Sequence, residues 1–137
     1  MDKISKELTI DANLENLDNV LQLVEGSLEI AECPMKVIMQ IAVCVEEVFV
    51  NVANYAYGDK QGDCTITVEI QDNNAKITLI DRGIPFNLLA KEDPDITLSA
   101  DERQIGGLGI FMVKKSMDKV FYSNDDGNNI FIMEKSW

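Results

Sequence analysis

The sequence contains no histidine. That absence excludes a Ser-His-Asp or Cys-His nucleophile system, His-ligated metal, and autophosphorylation on an internal histidine. Arginine is nearly as scarce: Arg82 and Arg103 are the two, and the 137 residues carry a formal net charge of −12. A nucleic-acid face needs clustered positive charge, so direct nucleic-acid binding is not expected. The three cysteines, Cys33, Cys44 and Cys64, are far apart, odd in number and form no CxxC, which argues against a disulfide framework and a zinc site. Cys44 sits among apolar neighbours and reads as a small core residue. No apolar run approaches the ~20 residues of a membrane span. The opening MDKISKELTI mixes charges unlike a signal peptide. The expectation is a cytoplasmic protein with no membrane partner, whose chemistry rests on carboxylates, amides, backbone groups and a bound ion.

What is present is an ordinary globular balance, 46% hydrophobic and 26% charged, in a length that suits one domain over 1–137. No basic residue lies between Lys6 and Lys36, whereas Asp11, Glu15, Asp18, Glu25, Glu29 and Glu32 do. This acidic stretch is either a solvated helix face or a docking surface for a basic partner.

Periodicity gives the element order. Residues 3–10 read as a strand with Ile4, Leu8 and Ile10 on one face. Residues 13–32 read as a helix, with Leu14, Leu17, Leu21, Val24 and Leu28 forming an apolar stripe. Pro34 restarts the chain into a second helix over 35–57. The alternating segments 65–71 and 76–80 flank the turn Asp72-Asn73-Asn74, a hairpin signal. A polar stretch at about 87–105 and a short helix from about 107 to 117 lead to a last hairpin, 119–123 and 130–135. The mixture predicts an α+β sandwich with helices layered on one sheet face.

Three segments carry the chemistry. In IAVCVEEVFVNVANYAY (41–57) nearly every face is apolar, yet Gln40, Cys44, Glu47, Asn51 and Asn54 recur at helical steps on one side. Glu47 and Asn51, one turn apart, can converge on a common point; the alternative is a stripe facing solvent. In LIDRGIPFN (79–87) Asp81 stands at a strand exit, Gly83 relaxes the turn and Pro85 stiffens it. In QIGGLGIFMVKK (104–115) Gly106, Gly107 and Gly109 open an apolar-periodic helix, whose free N–H groups suit an anion. It is neither GxxxxGK[ST] nor GxGxxG. Each of the last two segments, taken alone, is common in ordinary turns.

Taken in order, the three resemble the ATP-binding motifs of the GHKL superfamily, which includes gyrase B, Hsp90, histidine kinase catalytic domains and MutL. The resemblance is closest to the small anti-sigma-factor serine/threonine kinases. Glu47 and Asn51 match E-x-x-x-N, Asp81 to Phe86 match D-x-G-x-P-F, and Gly106-Gly107-Leu108-Gly109-Ile110 match G-G-L-G-[LI]. It implies a two-layer α/β sandwich of the histidine kinase-like (Bergerat) type, with a mixed, mostly antiparallel sheet and helices on one face.

It also implies roles. Asn51 would bind Mg²⁺ bridging the ATP phosphates, and Glu47 would act as catalytic base or orient the attacking hydroxyl. Asp81 would accept from the adenine amino group, with Gly83 allowing close packing. Gly106, Gly107, Leu108 and Gly109 would border the phosphates, and 87–105 would be the ATP lid. Arg103, Lys114 and Lys115 are the nearest basic residues by sequence. The activity implied is an anti-sigma factor that phosphorylates a STAS-type anti-anti-sigma protein and sequesters a sigma factor, both met in trans. A homodimer is implied as well. The alternative is a nucleotide-gated binding module without kinase activity. The chain departs from the pattern at Tyr55-Ala56, where relatives often carry His-Gly or His-Ala, and at Asn129, a substitute for a threonine near the adenine. Its acidic first helix also has no docking arginine.

Overall fold

The computed structural model describes residues 3–90 and 107–137. The elements are β1 (Ile4–Asp11), α1 (Leu17–Ile30), α2 (Met35–Asn51), β2 (Asp63–Gln71), β3 (Asn74–Asp81), α3 (Gly107–Ser116), β4 (Lys119–Asp125) and β5 (Asn128–Ser136). The strands form one sheet in the order β1-β2-β3-β5-β4. Every pairing is antiparallel, so the parallel component that a mixed sheet would contain is absent among the described strands.

Two-residue alternation divides the sheet into a buried and a wetter face. Cys64, Ile66, Val68 and Ile70 of β2, Ala75, Ile77 and Leu79 of β3, and Phe131 and Met133 of β5 are buried. The helices lie against this face, and each fully buried aliphatic side chain contributes about 1.5–3 kcal/mol relative to exposure. The same parity continues to the strand ends. There it delivers two polar residues, Asp81 and Asn129, to the core side, directly opposite each other in the β3–β5 register.

Both hairpins close through two residues of positive φ: Asp72 (53°) with Asn73 (60°), and Asp126 (52°) with Gly127 (84°). Such left-handed pairs match the twist of antiparallel strands, and Asn, Asp and Gly tolerate them best. β3, β4 and β5 therefore run two residues closer to their turns than alternation alone indicates, whereas β2 ends at Gln71 as expected.

The first helix begins later than its periodicity suggests. The Asn13 side chain accepts from the Glu15 N–H at 2.9 Å and caps a 3-10 turn, Leu14–Asn16. That tighter turn leaves Leu14 exposed and brings Val20 into the buried set with Val24 and Leu28. The helix stops through a left-handed Glu32 (φ 59°), with Cys33 N–H donating to Leu28 and Glu32 N–H to Glu29. Pro34 then caps α2.

Helix α2 with its continuation, Met35–Ala56, averages a hydropathy of 1.5 over a membrane-spanning length. Charges at Lys36, Glu46 and Glu47 break the apolar run, as the sequence indicated, yet the mean over the helix still reaches that of a span. Half of this stretch is buried within the fold, where Ile41, Val45, Val48 and Phe49 pack in the core. Length and composition are shared by membrane spans and by the core helix of a sandwich.

Candidate functional site

Regular α-helix ends at Asn51, and one turn of π-helix, Val52–Ala56, follows. A π-turn widens the backbone and shifts the carbonyls that follow, and such turns recur at functional sites. Here the Ala56 carbonyl reaches the loop after β3 and accepts from the Ile84 N–H at 2.8 Å. A Cβ at Gly83 would overlap that same carbonyl. Close backbone approach therefore accounts for the glycine, and it ties the end of the helix to the strand exit.

At this helix end the Asn51 side chain is half-buried. Its Nδ2 donates to the Glu47 carbonyl at 2.8 Å and to Glu47 Oε1 at 3.3 Å. The amide nitrogen is thus used within the helix, and Oδ1 has no hydrogen bond among the described residues. The Glu47 carboxylate lies against Gly109 in α3, where a Cβ would collide with its oxygens. The two i,i+4 polar residues meet through this bond, while Asn54 of the same stripe is exposed.

Across the cleft Asp81 is 7% exposed and Asn129 6%. Asp81 Oδ1 accepts from the Gly83 N–H at 2.9 Å and from Asn129 Nδ2 at 2.9 Å. Asn129 Nδ2 also donates to the Ile84 carbonyl at 2.9 Å. Asn129 Oδ1 accepts from the Tyr122 hydroxyl at 2.5 Å and from Asn124 Nδ2 at 3.0 Å. Asn129 therefore faces the protein, and its amide is filled rather than open to a ligand as a threonine substitute would be.

Between these walls lies an apolar cleft lined by Val52, Ala56, Leu79, Leu88 and Phe131, with Asn51 and Asp81 as polar points. Its internal room is about 40 Å³, enough for a water or two and less than an aromatic base needs. The rim residues Tyr55, Ile84 and Phe86 are exposed. On the other side of α2 a roomier groove of about 430 Å³ runs between α2 and α3, with Met39, Val43 and Met112 on its walls and Glu47 and Gly109 at one end.

Residues 10–135 match the model of the histidine kinase-like ATPase domain. The chain belongs to that family. It is 26% identical over 98 residues to the serine-protein kinase RsbW of Listeria monocytogenes, covering 68% of this chain and 62% of the relative. With the serine-protein kinase RsbW of Bacillus mycoides it shares 26% over 94 residues, 66% of this chain and 59% of the other. The chain thus spans somewhat less than two thirds of the length of these relatives. The RsbU and RsbW domains of a Mycobacterium tuberculosis protein superpose with a TM-score of 0.70 at 15% identity, covering 97% of this chain and 32% of that one. The Acinetobacter baumannii histidine kinase AdeS superposes at 0.54 with 14% identity, over 94% of this chain and 67% of that one. Both share the fold.

Within this histidine kinase-like frame, the remaining sequence expectations divide cleanly. Gly107 and Leu108 lie in the first turn of α3, as expected, while Gly106, Arg103 and residues 91–105 of the expected lid lie outside the described residues. Within the segment expected to be a lid, Leu88–Ala90 form a 3-10 turn with Leu88 buried and lining the cleft. Lys115 places its ammonium 5.5 Å from the Phe111 ring centroid, a contact along its own helix. Arg82 bonds Asn128 through Nε at 3.1 Å and is anchored to the β4–β5 turn.

Burial raises the pKa of all three thiols. Burial pushes Cys44 up to about 11, partly offset by a hydrogen bond with the Ser116 side chain, and Cys64 up to about 12. Cys33 is raised for the same reason. All three are free and buried. Sequence reasoning missed Tyr122 and Asn124, because their importance depends on β4 lying beside β5. It also missed Tyr57, whose hydroxyl donates to the Asp63 carbonyl at 2.5 Å and accepts from the Arg82 N–H at 2.9 Å.

Proposed function

We propose that the chain binds ATP with Mg²⁺ in the Asn51–Asp81 cleft and transfers the γ-phosphoryl group to a serine or threonine hydroxyl of a protein partner. The observation that carries this reading is the orientation of Asn51. Its nitrogen is held by Glu47, which leaves a carboxamide oxygen for a ligand. Magnesium is a hard ion that takes oxygen ligands and usually keeps several waters and substrate phosphates in its shell. No cluster of three His, Cys, Asp or Glu side chains suited to a metal occurs among the described residues. One protein oxygen completed by phosphates and water fits that donor set. Bound Mg²⁺ would neutralise triphosphate charge on a chain with little arginine to do so.

Glu47 then accepts the proton of the attacking hydroxyl as its oxygen bonds to the γ-phosphorus and ADP leaves. Phosphoryl transfer asks mainly for positioning and charge neutralisation. The α2–α3 groove, with Glu47 at its end, offers the hydroxyl a path separate from the base cleft. Asp81 accepts from the adenine amino group. Following the family resemblance, the acceptor is a STAS-type anti-anti-sigma protein, a sigma factor is the second partner, and the site of action is the cytoplasm.

Calorimetry with ATP-Mg on the wild type and on Asn51→Ala tests the binding step. Saturable binding, weakened roughly a hundredfold by the substitution, is expected if Asn51 holds the ion, since a Lewis-acid contact is worth several kcal/mol. No heat with the wild type overturns the reading. Transfer of labelled γ-phosphate to a STAS protein from the same cell tests the second step. Nucleotide-dependent capture of partners without transfer would instead favour a gated binding module.

A further inference from the structure

The turn after β3, residues 82–87, supplies Ile84 and Phe86 to the cleft, yet it buries no side chain of its own. A segment with so little apolar packing keeps its place through hydrogen bonds. On the β5 side, Asn129 Nδ2 donates to the Ile84 carbonyl and Arg82 Nε bonds Asn128. On the helix side, two backbone donors tie the turn down. Ile84 N–H donates to the Ala56 carbonyl at 2.8 Å, and Arg82 N–H donates to the Tyr57 hydroxyl at 2.9 Å.

The Tyr57 tie has an anchor of its own. The hydroxyl gives its proton to the Asp63 carbonyl at 2.5 Å, which turns its lone pairs to the Arg82 N–H. The ring lies against Gly62, where a Cβ would overlap it. The φ of Gly62 lies outside the left-handed region, so the ring accounts for the glycine. The Gly62 carbonyl in turn accepts from the Ala12 N–H at 2.9 Å, just past the end of β1. Tyr57 thus spans from the β1–β2 end of the sheet to the turn that follows β3. We propose that Tyr57 is a positioning residue, whose hydroxyl holds the Arg82–Ile84 backbone in its ligand-ready place before a nucleotide arrives. The inference rests on the proposed nucleotide reading of the cleft, and it needs no contact between Tyr57 and the nucleotide. A wall that wanders in the free protein lowers affinity by the fraction of time it is out of place. Glu47 and Asn51 stand at the other end of the cleft and keep their own bonds. The signature is therefore a split between weaker nucleotide binding and unchanged turnover once the site is full.

Tyr57→Phe keeps the ring on Gly62 and removes the hydroxyl alone. Without nucleotide, amide exchange at Arg82 should be about tenfold faster, with the Ile77 and Leu79 amides of β3 unchanged. The calorimetric affinity for ATP-Mg should fall about three- to tenfold, the range of one hydrogen bond. Transfer to a STAS protein from the same cell, at saturating ATP, should stay within about twofold of the wild type. Gly62→Ala leaves the hydroxyl on the chain but pushes the ring aside. It should give the same split, and it carries the test if Tyr57→Phe does not fold. An unchanged exchange rate at Arg82 overturns the inference, as does ATP affinity equal to the wild type in both variants. A fall in saturated transfer as large as the fall in affinity also overturns it, because a general loosening of the fold does that. A wild type that binds no ATP overturns the underlying reading of the cleft instead.

Discussion

The two ends of the cleft are built on opposite plans. At the strand end, Asp81, Gly83, Asn129 and Tyr122 form a closed network in which nearly every donor and acceptor is already matched. At the helix end, Glu47 and Asn51 satisfy each other through one nitrogen and leave oxygens unmatched among the described residues. The first plan suits recognition of a fixed shape, since a filled network cannot adapt. The second suits a cation and a reacting group, which supply the missing partners themselves. The glycines follow the same division. Gly83 lies against backbone, the Ala56 carbonyl, whereas Gly109 lies against the tip of a side chain, the Glu47 carboxylate.

That contrast is sharpest where chemistry and binding can be separated. Glu47→Gln keeps the side-chain shape and removes the carboxylate proposed as proton acceptor. Phosphoryl transfer should fall by about 10²- to 10⁴-fold, the usual contribution of a positioned base, with ATP affinity nearly unchanged. Single-turnover transfer beside calorimetry reads both, and a parallel loss of binding would place Glu47 in the ligand site rather than in the chemistry. Gly109→Ala should act next most strongly. Its methyl displaces the carboxylate, and a misplacement near 1 Å costs roughly a hundredfold in rate. Because the group displaced is the end of a flexible side chain, the melting temperature should barely change.

Gly83→Ala should show the reverse pattern. A methyl forced against a backbone carbonyl costs about 1–3 kcal/mol of stability, visible as a lower urea midpoint, and nucleotide binding should weaken with it. If Gly83→Ala were as stable as the wild type, the close approach to Ala56 would be wrong.

The smallest effect concerns the thiols beneath both ends. Cys44 and Cys64 stand raised by burial from the ordinary 9.0 to about 11 and about 12. The unfolded chain releases these protons above pH 9 while the folded chain retains them. Their contribution to stability is therefore complete below pH 9 and is lost as pH rises through the folded values. Alkylation of the native protein at neutral pH should be slow, and the melting temperature should decline above pH 9. A Cys44→Ala, Cys64→Ala double variant should flatten that decline.

Much of the architecture was legible before the fold was known. Residues 65–71 alternate because one face of β2 is buried, and Asp72-Asn73 invites a left-handed turn, so both features are local. Asn13 and the Leu14–Asn16 turn were not legible, because the seven-residue apolar spacing runs straight through them and only packing decides which leucines go inside. The π-turn after Asn51 was hidden for a similar reason. VANYA carries no signal against an ordinary helix, and the wider turn forms where the Ala56 carbonyl meets Ile84.

By itself, then, the sequence determined the element order, the alternation that buries one sheet face, and the ordered set of Glu47–Asn51, Asp81–Phe86 and Gly106–Ile110. These depend on periods of two and 3.6 residues and on short-range backbone chemistry, which neighbours along the chain dictate. Only the tertiary structure decided that Asn129 bonds one oxygen of Asp81, and that the Glu47 carboxylate occupies the space a Cβ at Gly109 would need. Those facts belong to pairs such as Asp81 and Asn129, 48 positions apart. Their contact exists because β3 and β5 share a register, and no local pattern encodes it.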